Sequence, residues 1–202
     1  MVRTPKIILD KPIVMVGLMG AGKTSVGRAL ARALGVDFVD SDSEIEAAAG
    51  ASVVDIFSMY GEQEFRRAET SVIERLLDAK PRIKVISTGE GAFITPAVRD
   101  MVLKNAISIW LKADLDLLVK RTNHRNTRPQ LLNNDSRVIL SQLIKERYDT
   151  YAMANIMVET HDESLRKTLN AVLRAVAQYQ KAAERENKQN KKGVKNGYGQ
   201  GL

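Results

Sequence analysis

Four consecutive apolar residues, Ile13-Val14-Met15-Val16, stand between Pro12 and Gly17, and a short unbroken run of this kind predicts a strand covered on both faces. Past it the period changes. Val26, Leu30, Ala33 and Leu34 fall on one stripe of a helix over 24–34, which Gly35 ends. Residues 36–39 read as a second strand, 41–49 as a helix closed by Gly50, and 61–79 as a helix running up to Pro81. A third strand over 83–87 precedes a helix over 95–104, whose Thr95-Pro96 start suits an N-cap and a first helical position. A fourth strand over 107–111 and a helix over 114–121 follow. A helix over 136–154, a fifth strand over 156–159 and a closing helix over 164–180 complete the pattern, with Trp110 and the methionines read as core. Strands alternating with helices imply an α/β fold in three layers: a five-stranded parallel sheet, right-handed crossovers and helices on both faces. Ligands of such folds bind beyond the carboxyl ends of the strands.

Between 122 and 134 the periodicity stops. The stretch TNHRNTRPQLLNN is polar and cationic, and loops this long inside a compact domain are functional or disordered, so it reads as a mobile lid. Every other group that can carry chemistry falls at a strand end or close to this loop. Gly17-Leu18-Met19-Gly20-Ala21-Gly22-Lys23-Thr24 fits G-x-x-x-x-G-K-[ST] in full, after a strand and before a helix. Its glycines let the backbone curl so that successive N–H groups point at phosphate oxygens, and the helix that starts there adds the positive end of its dipole. Lys23 can reach the β- and γ-phosphates, and the Thr24 hydroxyl can bind Mg²⁺. A glycine-rich turn with an exposed lysine is the plain alternative.

Asp40-Ser41-Asp42 follows the second strand. One carboxylate can support the metal while the other accepts a hydrogen bond from a substrate hydroxyl; otherwise this is a helix N-cap beside a solvated neighbour. The phosphate loop one strand away favours the first reading. In Phe65-Arg66-Arg67-Ala68-Glu69 an arginine can clamp an anionic group bidentately, but taken alone a surface pair at i,i+3 explains the spacing. Ser87-Thr88-Gly89-Glu90-Gly91-Ala92 is either a close backbone approach to a ligand or an ordinary turn. Arg121, Arg128 and Arg147 lie in or beside the long loop, where a mobile arginine can stabilise a transferring phosphoryl group. His124, Arg125 and His161 read as solvated.

Composition narrows the class. At 202 residues the chain holds one domain, set at 1–180, and a tail over 181–202. It is 44% hydrophobic and 27% charged, as packed domains are. The absence of Cys excludes disulfides, thiolate zinc sites and Cys nucleophiles and fits a reducing compartment. No apolar run approaches a membrane span and the first residues lack a signal-peptide core, so a cytoplasmic protein is expected. The formal charge of +7 is concentrated in the tail, where six Lys/Arg stand against two Glu. That tail reads as solvated and unfolded rather than as a nucleic-acid contact.

Taken together, GLMGAGKTSVG, FVDSDSEIE, IFSMYGEQEFRRAE, STGEGAF, RTNHRNTRPQLL and ERYDTYA resemble the shikimate kinase family over roughly residues 12–170. The resemblance implies a P-loop NTPase fold related to the nucleoside-monophosphate kinases, a monomer, and transfer of the ATP γ-phosphate to the 3-hydroxyl of shikimate. It implies that Gly20, Ala21, Gly22, Lys23, Thr24 and Ser25 hold the ATP phosphates, that Thr24 ligates Mg²⁺ and that Asp40 supports the metal. Asp42 would bind the shikimate hydroxyls and orient or deprotonate the attacking one. Arg66, Arg147 and Gly89-Glu90-Gly91 would take the carboxylate, Arg128 would be the lid arginine and Arg121 would lie along the adenine. The substrate-binding helices would span about 41–79. The family has three consecutive glycines where this chain has Glu90 in the middle, and the Glu90 side chain is expected to point away from the ligand. Other readings are a small P-loop kinase for gluconate or a nucleoside monophosphate, and a nucleotide-dependent switch with the basic tail as its contact.

Overall fold

The computed structural model of the chain describes residues 7–80, 83–123 and 136–196. Five strands, β1 (Ile13–Val16), β2 (Asp37–Asp40), β3 (Lys84–Ser87), β4 (Ile107–Ala113) and β5 (Ile156–Thr160), form one sheet in the order β2-β3-β1-β4-β5. All four pairings are parallel. The burial of each strand follows from its place. β1 and β3 are buried at every position and β4 at all but one; β1 and most of β4 are accordingly apolar, while in β3 the buried Lys84 donates to Ala79 O and Ser87 reaches the Thr24 hydroxyl. β5, at one edge, alternates buried and exposed residues, and β2, at the other, is only partly covered. Met157 is exposed on β5 and Met59 and Met153 are exposed elsewhere, so only part of the methionine set is core; Met15, Met19 and Trp110 are buried as expected.

Helices α1 (Lys23–Leu34), α2 (Ser41–Ala49), α3 (Val53–Asp78), α4 (Pro96–Asn105), α5 (Leu115–Asn123), α6 (Ser136–Tyr151) and α7 (Leu165–Asn196) connect and cover the strands. β1 is central, with β3 and β2 on one side and β4 and β5 on the other, so the loop leaving β1 sits where the strand order reverses.

Some boundaries differ from the pattern-based reading. α3 starts at Val53 rather than 61, because the Ser52 hydroxyl caps it by accepting from Asp55 N, and Gly61 (φ 80°, ψ 172°) then breaks it into two arms. Only Gly tolerates that conformation cheaply, and the glycine disguised the first arm as a loop. Thr95 does occupy the N-cap position before Pro96, but its side chain makes no capping bond. α6 ends at Tyr151, not 154. α7 runs on to Asn196, past the expected unfolded tail at 181; Lys, Ala, Glu, Arg and Gln dominate this extension and all favour helix even without an apolar face. The expected lid over 122–134 falls almost wholly outside the described residues. Among the described residues no helix is long and apolar enough to cross a membrane.

Candidate active site

The loop after β1 curls back under α1. Gly22 occupies the N-cap position with φ 98°, a left-handed conformation, and no side chain caps the helix there, so its first N–H groups face a cavity of about 430 Å³. Residues 19–26 line that cavity together with Asp40, Asp42, Thr88 and Arg121. Lys23 is 7% exposed, and its ammonium group donates to Gly17 O (2.7 Å) and Leu18 O (3.0 Å). Folded onto the loop's own carbonyls, the cation is held beside the N–H groups that can receive phosphate.

The sheet register sets Asp40 of β2 beside Ser87 of β3, and both reach the first residues of α1. Thr24 Oγ1 donates to Asp40 Oδ2 at 3.0 Å and lies 3.3 Å from Ser87 Oγ. Asp40 Oδ1 meanwhile accepts from Asp42 N (3.2 Å), capping α2. The N-cap reading of Asp40 is thus seen in Oδ1, while Oδ2 is turned towards the Thr24 hydroxyl. Two hydroxyls and one carboxylate form a hard, all-oxygen donor set, which fits Mg²⁺ held mainly by water and substrate phosphates. No group of three or more acidic, His or Cys side chains suited to a metal occurs among the described residues.

On the far side of Asp42 the chain builds a second, different pocket. Arg66, on the second arm of α3, donates to Glu69 Oε2 at 2.8 Å and to Glu62 Oε1 at 3.3 Å. Glu69 is 1% exposed, so this is no surface pair: the i,i+3 spacing is turned inward against the segment after β3. Burial raises the Glu69 carboxyl above its ordinary range; Arg66 opposes this, while Asp42 and Glu90 add to it. Burial works against the Arg66 charge, but Glu69 and Glu62 outweigh it and hold the guanidinium above its usual value.

The glycines here serve close approach. Gly91 has φ −83°, open to any residue, yet a Cβ on it would stand 2.3 Å from Arg66 Nη1. A Cβ on Gly89 would stand 2.7 Å from Asp42 Oδ1 and 3.0 Å from Glu69 Oε1. The close neighbours are therefore the protein's own charged side chains. Position 90 between them does accept a side chain. Glu90 is 9% exposed; its Oε2 accepts from Met19 N at 3.2 Å and its Oε1 lies 3.6 Å from Arg147 Nη1. The expectation that Glu90 points away is thus overturned: two attractive partners, a loop N–H and a cation, draw it into the pocket.

Arg147 is carried by α6, which two tyrosines fasten. The Tyr148 hydroxyl donates to Ala113 O at the end of β4, and the fully buried Tyr151 donates to Glu90 O. Trp110 packs edge-on against Tyr148, with ring centroids 5.0 Å apart.

Of the residues singled out, Gly20, Ala21, Gly22, Lys23, Thr24, Ser25, Asp40, Asp42 and Arg121 share the first cavity. Arg121 donates to His161 O at 3.1 Å and to Gly20 O and Ala21 O at 3.4 Å, bracing the phosphate loop. Arg66, Gly89, Glu90, Gly91 and Arg147 lie outside that cavity and cluster around the segment after β3, Arg66 against Gly91 and Arg147 against Glu90. Arg128, His124 and Arg125 lie outside the described residues. Pattern reading missed Ser87 and misjudged Glu69. Ser87 was findable as the strand residue level with Asp40; Glu69 carried no signal beyond its spacing, which surface pairs share.

Comparison with known proteins bears on this two-part cleft. The family described as shikimate kinase matches residues 19–177. A shikimate kinase of Paramagnetospirillum magneticum is 48% identical over 85% of this chain and 87% of its own. The solved shikimate kinase from Acinetobacter baumannii in complex with shikimate superposes with a TM-score of 0.78 at 36% identity, covering 84% of this chain and 94% of that one. A gluconokinase from Sinorhizobium meliloti superposes at 0.57 with 19% identity over 87% of this chain and 97% of that one, a likeness of fold alone.

Proposed function

Because the chain belongs to the shikimate kinase family, we propose that it transfers the γ-phosphoryl group of ATP to the 3-hydroxyl of shikimate in the cleft that Asp42 divides. The observation that carries this is the position of Asp42, which lines the phosphate cavity with Lys23 and Thr24 while its Oδ1 abuts Gly89 in the arginine pocket. A group there can touch an acceptor hydroxyl on one side and stay within reach of a γ-phosphate on the other.

The backbone N–H groups of Gly20 to Ser25 bind the phosphates, and Lys23 moves from the carbonyls of Gly17 and Leu18 onto the β- and γ-oxygens. Mg²⁺, when bound, neutralises the charge that develops between the β- and γ-phosphates; Thr24 and Asp40 are the residues to hold it, with Ser87 behind Thr24. Asp42 accepts the proton of the attacking hydroxyl as that oxygen bonds to phosphorus and ADP departs. Arg66 and Arg147 grip the shikimate carboxylate. Glu69 fixes the orientation of Arg66, and the tyrosine-fastened α6 fixes that of Arg147. Arg121 brackets the adenine side. For Arg128, assigned to the transferring phosphoryl group, the support is the family resemblance. The reading carries with it a monomeric cytoplasmic enzyme that handles small molecules.

The test is ADP release from Mg-ATP with shikimate, gluconate and a nucleoside monophosphate as separate acceptors. Strong stimulation by shikimate alone is expected. Equal or better stimulation by either other acceptor would overturn the reading.

A further inference from the structure

Both arginines of the acceptor pocket already hold carboxylates of the chain, but in different ways. Arg66 is bound to the buried Glu69 through a 2.8 Å hydrogen bond. Arg147 faces Glu90 at 3.6 Å, an ion pair too long for a hydrogen bond, and its Nη1 is a buried donor with no hydrogen-bond partner among the described residues. A buried guanidinium nitrogen in that condition favours any acceptor that can come closer. Glu90, for its part, is anchored elsewhere: Oε2 accepts from Met19 N in the phosphate loop, and its own carbonyl accepts from Tyr151. Its Oε1 arm can therefore give up Arg147 while the residue stays in place.

The charges around Gly89 point the same way. Among the described residues the carboxylates of Asp42, Glu69 and Glu90 gather there beside Arg66 and Arg147, so like charges stand where an anion is to bind. A side chain at Gly89 or Gly91 would have to displace Asp42 and Glu69 or Arg66, so position 90 is where this segment can vary its charge without moving them.

We propose that the Glu90 carboxylate stands in for the acceptor's carboxylate on Arg147, and that shikimate must displace it, which makes Glu90 a determinant of acceptor affinity and charge selectivity. The inference rests on the assignment of Arg147 to the shikimate carboxylate given above. Before the acceptor arrives, Glu90 offsets part of the cost of burying the Arg147 charge. Once the acceptor carboxylate takes Arg147, Glu90 remains nearby as a like charge that raises KM. An acceptor without the carboxylate neither gains Arg147 nor meets that repulsion.

The experiment is steady-state kinetics on the full chain with shikimate and with its uncharged methyl ester as acceptors. Glu90→Gln keeps size and the capacity to accept from Met19 N while removing the charge. It should lower KM for shikimate by roughly tenfold, the scale one like charge sets in a half-buried site, with the ester's KM moving much less. Glu90→Gly should shift the two acceptors in the same directions, which keeps the test open if the Gln variant folds poorly. Combining Glu90→Gln with Arg147→Ala should erase the gain. An unchanged or raised shikimate KM in both Glu90 variants overturns the proposal, as does an equal shift for acid and ester, which is what a merely structural role gives. If Arg147→Ala alone leaves the shikimate KM unaltered, the assignment of Arg147 is what fails, and the inference falls with it.

Discussion

On one side of Asp42 the chain offers phosphate a curl of backbone; on the other it offers a carboxylate two arginines that already face carboxylates of their own. The phosphate side is contiguous, eight residues whose shape comes from glycine dihedrals and whose charge comes from N–H dipoles and one lysine. The acceptor side is assembled from α2, α3, α6 and the turn after β3, and its shape comes from guanidinium groups packed against glycine Cα atoms. A backbone cradle fits any nucleotide phosphate. A cage of opposed charges fits one arrangement of hydroxyls and carboxylate, and its fit is adjustable by a single residue such as Glu90. Generality and selectivity thus reside in different physical materials.

Asp42 joins the two sides, so the largest effect is expected there. Asp42→Asn keeps the size of the side chain and its hydrogen-bonding reach but loses the capacity to take a proton. The expected result is a fall in kcat of roughly 10²- to 10⁴-fold with the nucleotide affinity retained. Single-turnover phosphorylation together with titration of an ATP analogue measures both. A near-normal kcat removes Asp42 from the chemistry and leaves it a hydroxyl-positioning group.

Two glycine substitutions sharpen the contrast next. In Gly91→Ala the backbone is already comfortable at φ −83°, so the damage comes from the methyl group displacing Arg66, a flexible side chain that can swing aside. KM for shikimate should rise roughly tenfold, about the loss of one charge-assisted hydrogen bond, with little change in melting temperature. In Gly22→Ala the space is open, with no heavy atom nearer than 3.7 Å, and the damage comes from φ 98°. A stability loss of about 1–2 kcal/mol and a weaker ATP KM are expected, with the shikimate KM spared. Thermal melts and the two KM values distinguish the cases. If both variants harmed the same substrate, the division into backbone and side-chain sites would be wrong.

The same division explains what could be read from the sequence. Strand β1 was legible as an unbroken apolar run and β3 and β4 by their apolar centres, as buried parallel strands are, and the phosphate loop because its chemistry is local. The first arm of α3 was not, since Gly61 and the exposed Val54, Met59 and Tyr60 hide its helical stripe. Arg66 and Arg147 stand far apart in the chain, and no local pattern joins them; the family resemblance did. Even that could not orient Glu90, whose direction is decided by Met19 N and Arg147, two partners from distant segments. Nor could spacing show that Glu69 faces inward, because a surface pair and a buried one share the i,i+3 interval.

The smallest expected effect concerns what holds α6, and with it Arg147, against the sheet. Burial pushes the Tyr148 hydroxyl up to about 12, and the Asp114 carboxylate adds to the rise. In the unfolded chain a tyrosine releases its proton near 10. The folded form therefore binds that proton more tightly, and the stability it contributes is complete below pH 10 and lost as pH rises towards 12. Tyr148→Phe abolishes that slope while leaving the ring against Trp110. Lysines titrate in both proteins alike, so the difference between the two melting curves isolates the tyrosine. The gap between wild type and Tyr148→Phe should be about 1 kcal/mol in favour of wild type at neutral pH, from the lost hydrogen bond, and should pass through zero and reverse as pH rises from 10 to 12. Because α6 carries an acceptor arginine and no phosphate ligand, the variant's kinetic cost should fall on the shikimate KM; parallel melting curves, or a cost confined to ATP, would detach Tyr148 from the acceptor side altogether.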